Sequence, residues 1–204
     1  MRVLPYGDTA VLAELDDLDA VLTLLAALSA HRPAGVVDLV PGARTLLVRH
    51  DGHADRRDIE QALAEAAGRG GSAVARDGGS VEISVRYDGE DLAEVADLTG
   101  LSPRGLVEWH TGGAWTVGFA GFSPGFGYLV RDQRRLHVPR RETPRTSVPA
   151  GAVALAGDYS GVYPRPSPGG WQVIGHTDEP MWDLDRDPPA RLVPGARVSF
   201  RAVA

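Results

Sequence analysis

Residues 112–175 contain 12 glycines and 7 prolines, and helical periodicity disappears from Gly112 onward. Proline fixes φ and removes a backbone donor, and glycine in a helix interior costs about 1 kcal/mol relative to alanine, so no long helix runs through such a stretch. Short apolar pieces survive between the breakers, at Trp115–Phe119, Val153–Ala156 and Trp171–Ile174, with another at Arg197–Phe200. Many short strands turned by Gly/Pro corners predict a closed β-barrel or a sandwich.

Residues 1–80 have a different texture. Asp16 and Asp17 stand before the apolar set Leu18, Val21, Leu22, Leu25 and Leu28, whose spacing predicts a capped helix ended by Pro33 and Gly35. Val36–Val40 and Thr45–Val48 read as strands across Pro41-Gly42. A second helix turns Ile59, Leu63, Ala66 and Ala67 inward and stops at Gly68. Val81–Tyr87 alternates with period two, and a first strand falls within Val3–Leu15. The order β-α-β-β-α-β predicts a ferredoxin-like unit. The glycine-rich stretch Gly68–Gly79 is a loop or boundary, which divides the chain into a small α/β domain, 1–80, and a barrel domain, 81–204. After Tyr87 come two short helices. One carries Leu92, Val95, Ala96 and Leu98 and stops at Gly100; the next opens on Ser102-Pro103, a strong start signal, and carries Leu106, Val107 and His110.

Composition excludes several chemistries. The 204 residues include no cysteine, which removes disulfides, thiol catalysis and Cys-bound zinc and suits a cytoplasmic protein. All 21 basic residues are arginine. Without lysine there is no Walker A site and no lysine Schiff base. A net charge of -6 argues against nonspecific binding to nucleic acid or membrane surfaces. No 18-residue apolar run and no signal-peptide pattern at MRVLPYGDTA are visible.

The stretch GFSPGFGYL, Gly121–Leu129, matches G-x-S-x-G, the nucleophile elbow of α/β-hydrolases. The elbow uses the N–H of the residue after the serine, and here that residue is Pro124, which has none. No amphipathic helix follows. The stretch reads instead as a rigid turn that aims Phe122, Phe126 and Tyr128, either at a ligand pocket or into a barrel mouth.

Six histidines are present: His31, His50, His53, His110, His137 and His176. His50 and His53 lack a third ligand, and H-E-x-x-H is absent, so no metal site is predicted. His110 ends a helix, where the dipole favours imidazolium, and is either a site residue or a buried helix-terminal one. RDQRRLHVPRRETPR, residues 131–145, holds six arginines in an acidic protein, and Pro139 and Pro144 stiffen the backbone around Arg140, Arg141 and Arg145. Rigid guanidinium groups suit carboxylate or phosphate; a solvated or partner-facing surface is the alternative. Gly157, Gly161, Gly169 and Gly170 either let backbone N–H groups cradle an anion or form tight barrel corners.

GFSPGFGYL, LHVPRRETPRTSVPAGAVALAG, GVYPRPSPGGWQVIG, RDPPARLVPGARVSF and the N-terminal YGDTAVLAEL and GVVDLVPGARTLLV together resemble the allophanate hydrolase subunit 1 family. That family also takes in the B subunit of 5-oxoprolinase, the kinase inhibitor KipI and a carboxyltransferase subdomain of urea carboxylase. The resemblance covers nearly the whole chain. It implies a small N-terminal α/β domain, a cyclophilin-like β-barrel, and a partner homologous to allophanate hydrolase subunit 2 or to the C subunit of 5-oxoprolinase. It further implies ATP-dependent opening of 5-oxoproline to glutamate, with a lactam-utilisation protein (the A subunit) completing the enzyme and ATP held by a partner or at a shared interface. KipI-like kinase inhibition and a carboxyltransferase role with biotin are the alternatives within the family. Carried over, the resemblance marks His110, Arg140 and Arg145 as catalytic candidates and Arg141, Phe126, Tyr163, Gly169, Gly170 and Gln172 as binding candidates. Ser123 and Gly127 depart from the family's usual Ala and Pro, and Asp158-Tyr159 from the pair in its GGQTGIYP, which reads GDYSGVYP here.

Overall fold

The computed structural model describes residues 1–68, 79–131 and 136–204, and the chain divides into two compact units on either side of residues 69–78. The first unit runs β1 (Arg2–Pro5), β2 (Ala10–Glu14), α1 (Leu18–Ala30), β3 (Val36–Pro41), β4 (Thr45–His50) and α2 (Arg56–Gly68). Its antiparallel sheet has the order β1-β2-β4-β3. Asp17 caps α1 by accepting the Ala20 N–H at 2.8 Å. Helix α1 buries Val21, Leu24, Leu25 and Leu28, and α2 buries Ile59, Leu63 and Ala66 in the same core. Ala67, expected inward, is exposed, because i+8 from Ile59 lies at the edge of the 3.6-residue stripe.

The ferredoxin-like order does not hold. A hairpin rather than one strand occupies Val3–Leu15, and β1 fills the sheet edge beside β2. The alternating strand expected to close that unit belongs to the second unit. It is β5 (Ser80–Val85), paired in parallel with β13 (Arg197–Ala202), where Ile83 sits opposite Phe200. Ile83 and Val85 are completely buried in that second core, which decides their placement.

The second unit continues with α3 (Leu92–Thr99), α4 (Pro103–Thr111), β6 (Trp115–Ala120), β7 (Gly127–Val130), β8 (Arg145–Val148), β9 (Ala152–Ala156), β10 (Tyr159–Val162), β11 (Ser167–Gly169) and β12 (Gln172–His176). Gly100 ends α3 in the left-handed region at φ 70, and Ser102 caps α4 by accepting the Gly105 N–H at 3.0 Å. Seven strands form one sheet in the order β12-β9-β10-β7-β6-β13-β5. The chain beyond β5 then meets β12: Arg86 and His176 exchange backbone hydrogen bonds of 2.9 and 2.8 Å, and Gly89 and Asp91 donate to Ile174 and Val173. The sheet thereby nearly closes into a barrel, as the Gly/Pro pattern predicts. β8 and β11 pair as a separate ribbon with Arg145 opposite Gly169.

Strand β9 reads AVALA and is buried on both faces. Val153 and Leu155 fill the main core, while Ala152, Ala154 and Ala156 face a second cluster with Phe126, Tyr163 and Trp171. The small side chains on that face leave room for large rings. Among the described residues no helix is long and apolar enough to cross a membrane.

The seam where the barrel closes tolerates no side chain at Gly89, because a Cβ there would overlap the Ile174 and Val173 backbone. Gly89→Ala is expected to destabilise the second unit by about 1–3 kcal/mol, the usual range for overpacking, read as a lowered thermal midpoint. An unchanged midpoint would show that the seam is not a fixed part of the fold.

Candidate functional site

The sequence stretches that suggested anion binding do converge. The 139–145 segment lies against the turn before β12: Arg141 N–H donates to the Gly170 carbonyl at 2.9 Å, and Arg145 pairs across the ribbon with Gly169. Gly169 has to be glycine, since a Cβ would overlap the Tyr163 hydroxyl.

Two of the three arginines are already committed. Asp91, only 2% exposed, stands immediately before α3. It accepts from Arg141 Nη1 at 2.6 Å, from Arg145 Nη1 and Nη2 at 2.9 and 2.8 Å, and from the Val173 N–H at 2.6 Å. Arg145 also reaches Glu90 at 2.9 Å. Burial pushes the Asp91 carboxyl up, but the Arg145 hydrogen bond, the Val173 N–H and the two guanidinium charges together hold it below the usual value. Arg145, a candidate for the reacting centre, and Arg141, a candidate for ligand binding, both anchor this junction.

Arg140 differs. It is exposed, and among the described residues it makes no hydrogen bond or ion pair. Its charge acts on the Tyr128 and Tyr163 hydroxyls, both of which burial pushes up. Arg140 and Arg141 line an open groove of about 400 Å³ with Glu94, Pro139, Glu142 and Gln172. Arg134 and Arg135 lie outside the described residues.

Beside Arg140 lies the aromatic cluster. Phe126 is buried and meets Tyr128, Trp171 and Tyr163 edge-on at 5.1–5.4 Å between ring centroids. The GFSPGF turn that carries it is tightly closed. Ser123 N–H donates to the Gly121 carbonyl at 2.7 Å around Phe122, which takes φ 65, a γ-turn conformation rare for a residue with a Cβ. Phe126 N–H donates to the Ser123 carbonyl at 3.0 Å over Pro124 and Gly125 at φ 85, the signature of a type II turn. The result is one aromatic turned inward and one, Phe122, left 58% exposed. The Ser123 hydroxyl is buried and without a partner among the described residues, so no histidine activates it.

His110 makes no hydrogen bond to Arg140, Arg141 or Arg145. It is fully buried on α4, with Nδ1 2.8 Å from the Tyr87 hydroxyl, Nε2 2.9 Å from Ser160 Oγ and its ring 4.2 Å from that of Phe200. Burial, then the nearby Arg131 charge, push its pKa down to about 3. The helix-end dipole that favours imidazolium is outweighed by desolvation, and the ring is a neutral core group.

Sequence reasoning missed Asp91 and Glu90. Asp91 opens a D-x-x-E pattern before an apolar helix and so reads as a helix cap, yet its side chain makes no capping bond.

The chain belongs to the carboxyltransferase domain family, subdomains C and D, which matches residues 1–192. Its curated relatives include the B subunit of 5-oxoprolinase from Haemophilus influenzae, 35% identical over 98% of this chain and 97% of the relative. The Escherichia coli O157:H7 protein of the same name is 49% identical over 59% of this chain and 56% of its own length. The crystal structure of TTHA0988 superposes with a TM-score of 0.78 at 36% identity, covering 96% of this chain and 40% of the longer one.

Two measurements check the electrostatics. His110 is expected to show no NMR titration between pH 5 and 8; an inflection near pH 6.5 would place it in contact with water. Asp91→Asn removes the countercharge of two guanidinium groups and is expected to lower stability by about 3–5 kcal/mol at pH 7. The depressed carboxyl contributes stability above its unfolded pKa, near 3.9, and loses it as pH falls through the lower folded value. The gap between wild type and Asp91→Asn in urea unfolding should therefore hold from pH 7 to 5 and shrink below about pH 4.

Proposed function

We propose that this chain is one component of an ATP-dependent 5-oxoprolinase. The observation that carries this is the near end-to-end match to the H. influenzae protein. In the reaction the lactam C–N bond breaks, water adds its oxygen to the carbonyl carbon, and the ring nitrogen leaves as the amine of glutamate. The groove beside Arg140 is the part of this chain that fits such a substrate: one uncommitted guanidinium for its carboxylate and a half-buried polar wall. Arg145 and Asp91 are positioning residues that hold the groove in shape, and the Arg141–Asp91 bond helps to anchor it.

The groove does not suit a triphosphate. Glu94 and Glu142 face the same space, and of its two arginines Arg141 is spent on Asp91. ATP is therefore assigned to a partner, either the C-type component or the lactam-utilisation protein, and no step on this chain runs through it. The barrel is assigned as cyclophilin-like and the protein to the cytoplasm. A second reading, carboxyl transfer, is favoured by the name of the matching domain family.

Mixing the purified chain with its C-type partner and the lactam-utilisation protein should release glutamate from 5-oxoproline only when ATP is present. No release with all three present sinks the proposal. Arg140→Ala should lower kcat/KM at least about tenfold, the effect of losing one charge-assisted bond, with the thermal midpoint unchanged. Full activity in that variant removes Arg140 from the site.

A further inference from the structure

Two polar atoms at this groove are left unanswered by the fold. Gln172, 2% exposed, donates from Nε2 to the Pro139 carbonyl at 3.4 Å, but its Oε1 has no donor among the described residues. Pro139 offers only an acceptor, which fixes the amide with its oxygen free. Arg141 uses Nη1 on Asp91, while its buried Nε has no acceptor among the described residues. Buried polar groups are nearly always paired, so two unpaired ones lining one groove call for an explanation.

The two are complementary in sense, one acceptor and one donor. A single ligand that answers both supplies a donor and an acceptor together. Carboxylate and phosphate present acceptors only, and an ammonium presents donors only. The cis amide edge of a lactam or a urea presents both. The charges agree: Arg141 is paired with Asp91, and Arg140 shares the groove with Glu94 and Glu142, so the groove is no sink for a polyanion.

We propose that Gln172 and Arg141 read the amide edge of a lactam-type substrate while Arg140 holds its carboxylate. This rests on the 5-oxoprolinase function above and names the substrate subsite within it. Both atoms are shielded from solvent, so the ligand enters by parting the 139–143 segment from β12. The Gln172–Pro139 contact at 3.4 Å is at the long limit of a hydrogen bond and is the one that opens. The 2.9 Å bond from Arg141 to Gly170 and the Asp91 bonds keep the segment anchored.

Calorimetric titration of the full chain together with its partner proteins tests this, with 5-oxoproline, 2-pyrrolidinone, urea and L-proline as probes. 5-Oxoproline should bind saturably, and L-proline, which keeps ring and carboxylate but lacks the lactam carbonyl, at least about tenfold more weakly. Gln172→Leu should weaken 5-oxoproline and 2-pyrrolidinone at least about tenfold yet leave the thermal midpoint equal or higher, because it removes an unanswered buried acceptor. Arg140→Ala should weaken 5-oxoproline and spare 2-pyrrolidinone. If Gln172→Leu does not fold, Arg141→Lys, which keeps a cation for Asp91 and lacks Nε, should show the same loss. Wild-type and Gln172→Leu affinities within twofold, equal binding of L-proline, or no saturable binding of any amide overturns the subsite. Gln172-dependent binding of urea in preference to lactams supports the amide edge and moves the function to carboxyl transfer. Glutamate release with an unaltered KM in Gln172→Leu removes the subsite and leaves the oxoprolinase function standing.

Discussion

One carboxylate organises the region proposed to bind substrate. Asp91 gathers its donors from two stretches of chain far from it in sequence: Arg141 and Arg145 on one, the Val173 backbone on the other. Its own N–H donates to the Val173 carbonyl, so the residue is also a stitch in the barrel seam. An isolated buried carboxylate would be neutralised by desolvation, and two guanidinium groups without a countercharge would be expelled into water. Together with Glu90 they form a charge-balanced group of two acids and two bases, and this balance lets the cluster pack against β12. The ribbon of β8 and β11, the SPGG turn and the start of α3 are thereby held in one arrangement. Arg140, one residue from this junction, is left over, and that is why its charge is available to a ligand.

The aromatic side of the site follows from a second constraint, the alternation of β9. Val and Leu point into the main core while three alanines face the other way, and Phe126, Tyr163 and Trp171 fill the space they leave. Rings packed edge-on are rigid, so the GFSPGF turn above them has a firm base. On that base Phe122 is held at φ 65, a conformation that disfavours a side chain. The turn's hydrogen bonds over-determine the geometry, which is how a strained residue persists in a folded protein.

Much of the architecture was legible in local sequence, because local chemistry decides it. Asp17 and Ser102 cap helices as their type and position predict, Gly100 stops α3, and the Gly/Pro-punctuated strands from Trp115 onward are strands. What was not legible depends on partners distant in sequence. The alternation of Val81–Tyr87 announces a strand but not which sheet receives it; β13, more than a hundred residues later, settles that. Arg140, Arg141 and Arg145 look equivalent in a proline-stiffened run. They are separated by Asp91, some fifty residues upstream, whose cap-like context conceals a clamp. His110 carries the ambiguity of any helix-end histidine, and only the surrounding Tyr87, Ser160 and Phe200 make it a core residue.

A left-handed phenylalanine, an unpaired serine hydroxyl, an unpaired glutamine oxygen and an unpaired guanidinium nitrogen occur in the turn over the aromatic layer and in the groove beside Arg140, while Arg186 Nη1 and Arg191 Nε, also unpaired among the described residues, line a separate groove with Glu82. In the main core, by contrast, propensity, pattern and packing agree: β9 alternates correctly, Ser102 caps α4, and even His110 has a partner for each ring nitrogen. Stability alone would remove such defects one at a time, since each has an available substitution that relieves it, such as glycine at 122 or leucine at 172. Those beside the uncommitted Arg140 fit the proposed substrate groove: local cost accepted at the positions a ligand would complete, on a scaffold rigid enough to carry it.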